Sequence, residues 1–272
     1  MALYRHTASI AVLLLAAVVT GCATSRLPEL AQLAQAPDRH PVPVIIIPGV
    51  LGSRLANRDT GVEAWPGTTR KLMTSSYLEL ALRIDPVTLE PLDDGLVATG
   101  LFDHAAGQDI YRHLVETLLN VGGYRLGTPG KPAAPGEARL YALAYDWRQD
   151  NIQAVRALDA LIEQIRRDYG DPGLRVDVIA HSMGGLIVRY YERYGTEDVM
   201  DRNAFAVTGA GVSRLRRIVM LSVPNLGSVR MIHAFLTGHR VWLSRLPTEG
   251  IATMPAMYQL WKNRSQFWTT AR

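Results

Sequence analysis

Apolar residues gather in four short runs that predict buried β-strands. These runs are Val42–Ile47, Leu140–Tyr145, Leu174–Ala180 and Leu215–Val223. Runs of this length, rich in aliphatic residues, suit strands of a parallel sheet that is covered on both faces. Pro43 fits at the beginning of the first strand, where its missing N–H group does least harm. We therefore expect these strands to form one mostly parallel sheet.

Between these runs, apolar positions recur with helical spacing. One predicted helical face contains Ile110, Leu114 and Leu118, and it ends at Gly122–Gly123. A second contains Val155, Leu158, Ile162 and Ile165, with Asp150 or Asn151 as its cap and 170–173 as its stop. Strands that alternate with helices indicate the α/β class, with helices flanking the sheet.

Residues 61–103 have a weaker pattern of apolar positions. We interpret this stretch as an insertion at the mouth of the sheet, where it could form a cap or lid over a site.

The first 41 residues differ from the rest of the chain. Arg5 precedes a short apolar run, Ile10–Val19, and Cys22 follows as the only cysteine. This pattern predicts a lipoprotein-type signal peptide over 1–21, since the apolar run is too short to span a membrane. Cys22 would then carry the lipid, residues 22–41 would form a tether, and 42–272 would form the folded domain. The alternative is an ordinary signal peptide with an incidental cysteine.

Composition narrows the possible partners. Removing 1–21 takes away one of 29 basic residues and none of the 25 acidic ones, which leaves a net charge of +3. That charge is too small to indicate nucleic-acid binding. The histidines show no paired metal-ligand spacing and no glycine-rich nucleotide loop is present, so we expect no metal and no cofactor.

The predicted signal peptide indicates an exported protein, held on a membrane at the periplasmic or outer face.

Ser182 is the strongest candidate for a catalytic residue. It follows the predicted strand Leu174–Ala180 and precedes a predicted helix over Met183–Arg193. A serine on a sharp strand-to-helix turn is the device that exposes the nucleophile of α/β-hydrolases, and small residues such as Gly184 relieve crowding there. We interpret His181 as a support residue and not as the base.

Two backbone N–H groups are candidates for an oxyanion hole. Met183 N–H lies at the amino end of the predicted helix, and Val50 N–H lies in the glycine-containing loop 48–53 after the first strand. Such donors stabilise the negative charge of a tetrahedral intermediate. Gly49 and Gly52 are equally consistent with an ordinary turn.

Four motifs in order resemble the lecithin:cholesterol acyltransferase family. They are Pro48–Gly49–Val50–Leu51–Gly52–Ser53, Tyr145–Asp146–Trp147–Arg148, Ala180–His181–Ser182–Met183–Gly184–Gly185 and Pro224–Asn225–Leu226–Gly227–Ser228. The segments 64–67 and 254–260 are looser matches. The resemblance implies an α/β-hydrolase fold that moves acyl chains from a phospholipid or other glycerolipid to an alcohol or to water.

The resemblance also draws attention to three side chains near the site. Asp146 and Arg148 would lie at the carboxyl edge of the sheet, as an ion pair that either shapes the pocket or braces the loop. Trp65 would either contribute to a lid over the acyl pocket or pack in a turn.

The chain departs from the family's pattern after Val223. The fold's order is Ser, then an acid, then a histidine, yet Glu249 is the only acidic residue beyond Asp201 and no histidine follows it. We expect the sheet to lack its last strands and the domain to be incomplete at its C-terminus. One hypothesis is a serine acyltransferase or lipase-like hydrolase. Its alternative is an inactive or lipid-binding remnant.

Two further readings stay open. His233 or His239, predicted on a helix after Asn225, could supply a rewired base. A cytosolic thioesterase or general esterase would share the serine turn, but the export signal disfavours it.

Overall fold

A computed structural model describes residues 42–75, 77–83, 85, 91–105, 108–199, 206–229, 233, 239–241 and 244–246. Contacts divide the chain into two units, 1–39 and 40–272. The predicted signal peptide, Cys22 and the tether lie outside the described residues and stay predictions.

Twelve strands and four α-helices are assigned in the described part of the chain. The strands are β1 (Val44–Ile47), β2 (Ser53–Asn57), β3 (Glu63–Trp65), β4 (Leu96–Leu101), β5 (His104–Ala105), β6 (Gln108–Asp109), β7 (Arg125–Leu126), β8 (Arg139–Ala142), β9 (Val176–His181), β10 (Leu215–Leu221), β11 (His239–Val241) and β12 (Ser244–Leu246). The helices are α1 (Thr69–Thr74), α2 (Arg112–Asn120), α3 (Asn151–Tyr169) and α4 (Met183–Tyr194). Leu78–Leu80 and Val212–Arg214 form 3₁₀ turns.

The central sheet has five strands in the order β10-β9-β1-β8-β7, and every neighbouring pair is parallel. In register, Ile46 of β1 lies beside Ala142 of β8 and Ile179 of β9. This confirms the predicted α/β class with a mostly parallel, α/β-hydrolase-like sheet. All four residues of β1 are buried, as the apolar run predicts for a strand covered on both faces.

Two apolar layers cover β1. On one side Ile45 and Ile47 join the large core that also contains buried residues of α3 and α4. On the other side Val44 and Ile46 meet Leu114 and Leu118 of α2. Alternate residues of one strand therefore supply two helix-facing layers, which is the arrangement that a doubly covered sheet requires.

The long helix α3 is bounded as its sequence predicts. The Asp150 side chain accepts a hydrogen bond from Ile152 N at 3.0 Å, and Gly170 closes the helix in the left-handed conformation at φ 63°. The prediction for α2 was less accurate. The helix begins at Arg112, so Ile110 precedes it and is exposed.

The prediction that Leu215–Val223 is a buried strand was wrong about burial. The strand exists as β10, but most of its residues are exposed. Within the described part of the chain β10 is an edge strand with β9 as its neighbour. An apolar run alone does not distinguish a central strand from an edge strand, which explains the error.

The segment after Asn225 also differs from its prediction. His239 begins the short strand β11, which pairs antiparallel with β12, so it does not continue a helix. His233 is helical and exposed.

The predicted insertion contains a second, smaller sheet. β2 pairs antiparallel with both β3 and β4, in the order β3-β2-β4. This unit therefore begins at Ser53, earlier than the predicted boundary at residue 61, because β2 follows directly from the loop after β1. Its role as a cap or lid stays a prediction.

No helix among the described residues is long and apolar enough to cross a membrane.

The core packing generates a stability prediction. Leu158 of α3 is 0% exposed, whereas Leu126 of β7 is 68% exposed. Leu158→Ala should lower the free energy of unfolding by about 2–5 kcal/mol, because it removes buried methyl groups and leaves a cavity. Leu126→Ala makes the same chemical change at the surface and should have little effect. Urea denaturation measures both, and equal effects would contradict the assigned core.

Candidate active site

Ser182 lies at the junction between β9 and α4. Its backbone has φ 50° and ψ −120°, a positive-φ conformation that a non-glycine residue rarely adopts. Ser182 N–H donates to Leu221 O of β10 at 2.9 Å, which ties the turn to the neighbouring strand. The predicted strand–serine–helix arrangement is present, and the strain is of the kind that concentrates at functional sites.

The loop after β1 approaches this turn closely. A Cβ on Gly49 would lie 2.8 Å from Ser182 Cβ, which is closer than real Cβ contacts allow. A Cβ on Gly184 would collide with the carbonyl oxygens of Ile47 and Pro48. Glycine at both positions is therefore a steric requirement of bringing the loop and the serine turn together.

Buried aromatic side chains hold the carbonyl groups of this loop. The bonds are Tyr145 Oη to Pro48 O at 2.8 Å, Trp65 Nε1 to Leu51 O at 2.9 Å and Trp147 Nε1 to Ser53 O at 3.1 Å. Backbone N–H groups hold two more, from Gly52 to Gly49 O at 3.0 Å and from Phe102 to Gly52 O at 2.9 Å. Hydrogen bonds to its carbonyl oxygens thus hold the loop in place.

The two predicted oxyanion donors remain available. Within the described residues, neither Val50 N–H nor Met183 N–H has a hydrogen-bond acceptor. Met183 is the first residue of α4, where N–H groups have no partner inside the helix and favour negative charge. Leu51, at φ 64°, gives the loop a left-handed residue directly after Val50. Their assignment as an oxyanion pair stays a prediction.

His181 does not stand free beside the serine. Its Nδ1 lies 2.7 Å from Tyr111 Oη, and the two rings meet edge to face. Burial lowers the pKa of His181, so the neutral imidazole is favoured near pH 7. A ring nitrogen engaged by tyrosine fits the interpretation of His181 as a support residue.

Arg148 forms a buried ion cluster with two carboxylates. Its Nη1 lies 2.6 Å from Asp94 Oδ2, and its Nη2 lies 2.7 Å from Asp146 Oδ2. The Arg148 side chain is 1% exposed, against 12% for Asp94 and 13% for Asp146. Burial lowers the pKa of Arg148, but the hydrogen bonds with Asp146 and Asp94 outweigh it and raise the pKa overall.

This cluster joins two parts of the domain. Asp146 and Arg148 follow β8 at the carboxyl edge of the central sheet, whereas Asp94 precedes β4 of the small sheet. Arg148 Nη1 also donates to Leu80 O at 3.3 Å. The contacts favour bracing of the loop and the small sheet, one of the two roles that the sequence leaves open for the pair.

Trp65 is almost fully buried. Its ring packs edge-on against Tyr77, Phe102 and Trp147. Packing is therefore the better supported of its two roles, and its indole N–H donates to Leu51 O in the loop 48–53.

Sequence reasoning missed several residues that build the site. Tyr145 and Trp147 belong to a recognised motif, but only its charged members were singled out there. Tyr111 and Asp94 lie far from the motifs along the chain, and no local pattern pointed to them.

Among the residues that the structure describes, no acid or base partner contacts the Ser182 hydroxyl. Within the described part of the chain, Ser182 Oγ has no hydrogen-bond partner, and no cluster of three His, Cys, Asp or Glu side chains could hold a metal ion. Most residues beyond 229 lie outside the described part, including Glu249.

The ion cluster generates a stability prediction. Arg148→Gln should lower the free energy of unfolding by about 3–5 kcal/mol, because it leaves two largely buried carboxylates without a counter-charge. Arg58→Gln is the matched control, since it removes an arginine from an exposed pair with Asp93 and should change stability little. Thermal and urea unfolding measure both variants. An Arg148→Gln protein as stable as the control would contradict a bracing role.

Comparison with known proteins adds independent findings. Residues 71–259 match the family model described as lecithin:cholesterol acyltransferase. A protein of Rattus norvegicus described as lysosomal phospholipase A and acyltransferase is 27% identical over 219 residues, which cover 70% of this chain and 52% of that protein. A chain in the crystal structure of the Tle4–Tli4 complex matches 80% of this chain and 54% of its own length, with 18% identity and a TM-score of 0.47.

The chain spans about half the length of the curated relative and of the solved chain that it matches. The family model nevertheless covers well over half of the 272 residues, and its range includes the motifs around Arg148, Ser182 and Asn225. The chain therefore belongs to the lecithin:cholesterol acyltransferase family.

Proposed function

We propose that this protein is a serine-dependent O-acyltransferase or lipase-like hydrolase that acts on acyl esters of phospholipids or other glycerolipids. Family membership supports the reaction class. The rat relative, whose description names phospholipase A and acyltransferase, supports a phospholipid as the acyl donor. The observation that carries the proposal is the strained turn that presents Ser182 at the amino end of α4, beside a loop whose Val50 N–H has no acceptor among the described residues.

In the proposed reaction, Ser182 Oγ attacks the ester carbonyl carbon while a base accepts its proton. The carbonyl oxygen becomes negatively charged and receives hydrogen bonds from Met183 N–H and Val50 N–H. The ester C–O bond then breaks, and the leaving alkoxide takes the proton. An alcohol or water attacks the acyl-enzyme in the second half, and Ser182 regains its proton. Side chains and backbone groups suffice for this chemistry, without a metal or cofactor.

The base is the unfilled role in this scheme. His181 Nδ1 forms a hydrogen bond with Tyr111. His233 is a helical residue and is exposed to solvent. The base is therefore sought in His233 or His239, in a residue outside the described part of the chain, or in a partner chain.

The absence of a partner for Ser182 Oγ in the described residues favours a second candidate function. In that case the protein would bind lipid without catalysis, as an inactive member of its family. Loss of a triad member leaves only the small residual rate that the oxyanion hole and binding provide.

A fluorophosphonate probe separates these candidates, because it reacts with activated serines. We expect the probe to label the wild-type protein, and we expect the wild type to release fatty acid from phosphatidylcholine vesicles. Ser182→Ala should lose both the labelling and the release of fatty acid. Adding a long-chain alcohol should divert part of the product to an ester, which distinguishes transfer from hydrolysis. Ser213→Ala changes an exposed serine and should leave labelling intact. A folded wild-type protein that is not labelled would favour the binding function.

We also propose that lipid on Cys22 holds the protein on a membrane surface. The support is the sequence pattern of 1–22 alone, in which a basic start and a short apolar run precede the single cysteine. Several acyl chains at one cysteine would give stable anchoring, whereas one chain gives reversible binding.

Metabolic labelling tests this anchor. A fatty-acid probe should label the protein expressed in a bacterium. Cys22→Ala should abolish the label and should remove the protein from the membrane fraction. A label that survives Cys22→Ala would contradict the proposal.

A further inference from the structure

A short chain of hydrogen bonds connects the oxyanion loop to the serine turn. Gly49 N–H donates to Tyr111 Oη at 3.0 Å, and Tyr111 Oη lies 2.7 Å from His181 Nδ1. Gly49 belongs to the loop after β1, Tyr111 directly precedes α2, and His181 directly precedes Ser182. Three separate parts of the chain thus meet at one phenol oxygen.

The direction of these bonds follows from the groups involved. Gly49 N–H can only donate, so Tyr111 Oη accepts from it. Burial raises the pKa of Tyr111, so the hydroxyl keeps its own proton. In the described part of the chain His181 Nδ1 is the only acceptor near that proton. When the hydroxyl donates to it, the neutral imidazole accepts at Nδ1 and carries its proton on Nε2.

The loop backbone leaves little space around the Tyr111 hydroxyl. A Cβ on Gly52 would lie 2.9 Å from Tyr111 Oη, and a Cβ on Gly49 would lie 3.3 Å from His181 Nδ1. The loop backbone therefore packs directly on the Tyr111–His181 pair.

This bonding pattern also selects which loop donor stays free. Gly49 N–H is taken by Tyr111, whereas Val50 N–H has no acceptor among the described residues. Without the phenol, Gly49 N–H would be an unsatisfied buried donor, which the loop would relieve by changing its conformation.

We infer that Tyr111 and His181 are positioning residues for acyl transfer, which fix the oxyanion loop against the Ser182 turn. The inference rests on the proposed function, and it assigns neither residue a role in proton transfer with the substrate. A donor displaced by a fraction of an ångström stabilises the oxyanion less, so the effect should fall on kcat.

Tyr111→Phe removes the central hydroxyl from the full-length protein. We expect kcat for hydrolysis of p-nitrophenyl butyrate to fall about 10- to 100-fold, while KM changes less than about twofold. Tyr169→Phe is the matched control, since Tyr169 Oη also accepts from a backbone N–H group, that of Arg139, and donates to Glu137 O, away from the site. Tyr169→Phe should keep the kcat of the wild type, even if its melting temperature falls as much as that of Tyr111→Phe.

A pair of substitutions at His181 provides the rescue test. His181→Asn keeps an acceptor near the position of Nδ1 and should retain most of the wild-type kcat. His181→Leu has no acceptor and should resemble Tyr111→Phe. If both variants lose kcat equally, the acceptor at Nδ1 is not what matters and the inference is overturned.

¹⁵N spectra of histidine-labelled protein give a readout that does not depend on activity. The signal missing from His181→Asn identifies His181 among the seven histidines. It should show an unprotonated Nδ1 and a protonated Nε2 in the wild type, and this tautomer should lose its preference in Tyr111→Phe. A protonated Nδ1 in the wild type would overturn the inference.

The outcomes separate the two proposals. If the wild type neither hydrolyses the ester nor reacts with fluorophosphonate, the proposed function fails and this inference fails with it. If the wild type reacts and Tyr111→Phe reacts equally fast, the inference alone fails.

Discussion

The close approach of two backbone segments is the constraint on which the site depends. The loop after β1 and the turn at Ser182 meet with so little space that Gly49 and Gly184 cannot carry a Cβ. Ser182 itself lies at φ 50°, a conformation that costs on the order of 1–3 kcal/mol. The surrounding fold can hold it because β9 and α4 are anchored in one apolar core. Local strain is thus sustained by burial elsewhere.

Buried polar bonding then determines which groups of the loop stay free. Trp65, Tyr145 and Trp147 donate to three of its carbonyl oxygens, and Tyr111 accepts from its Gly49 N–H. In the proposed reaction, a loop held in this way would not need to reorganise when a negative oxygen forms beside it. Preorganised donors of this kind are the largest single source of catalysis in many enzymes. Under the proposed function, these aromatic side chains would support the site as well as the core.

The sequence predicted the elements that depend on local pattern. The parallel strands, the caps of α3 at Asp150 and Gly170, and the serine turn all follow from signals within a few residues. It could not predict Tyr111 or Asp94, since both act across long separations in sequence that only the tertiary fold brings together. It placed His239 on a helix and overestimated the burial of β10 for the same reason, because apolar spacing does not reveal which neighbours an element has.

Arg148 connects the central sheet to the small sheet through buried ion pairs. One guanidinium is shared by Asp146, at the edge of the central sheet, and Asp94, beside β4. Because a buried charge is costly unless it is paired and hydrogen-bonded, neither sheet can move from this position without leaving an unpaired charge behind. The small sheet in turn supplies Trp65, whose indole holds Leu51 O in the oxyanion loop. The charge cluster therefore acts on the loop 48–53 through the small sheet, and Trp65 makes the contact with that loop at Leu51 O.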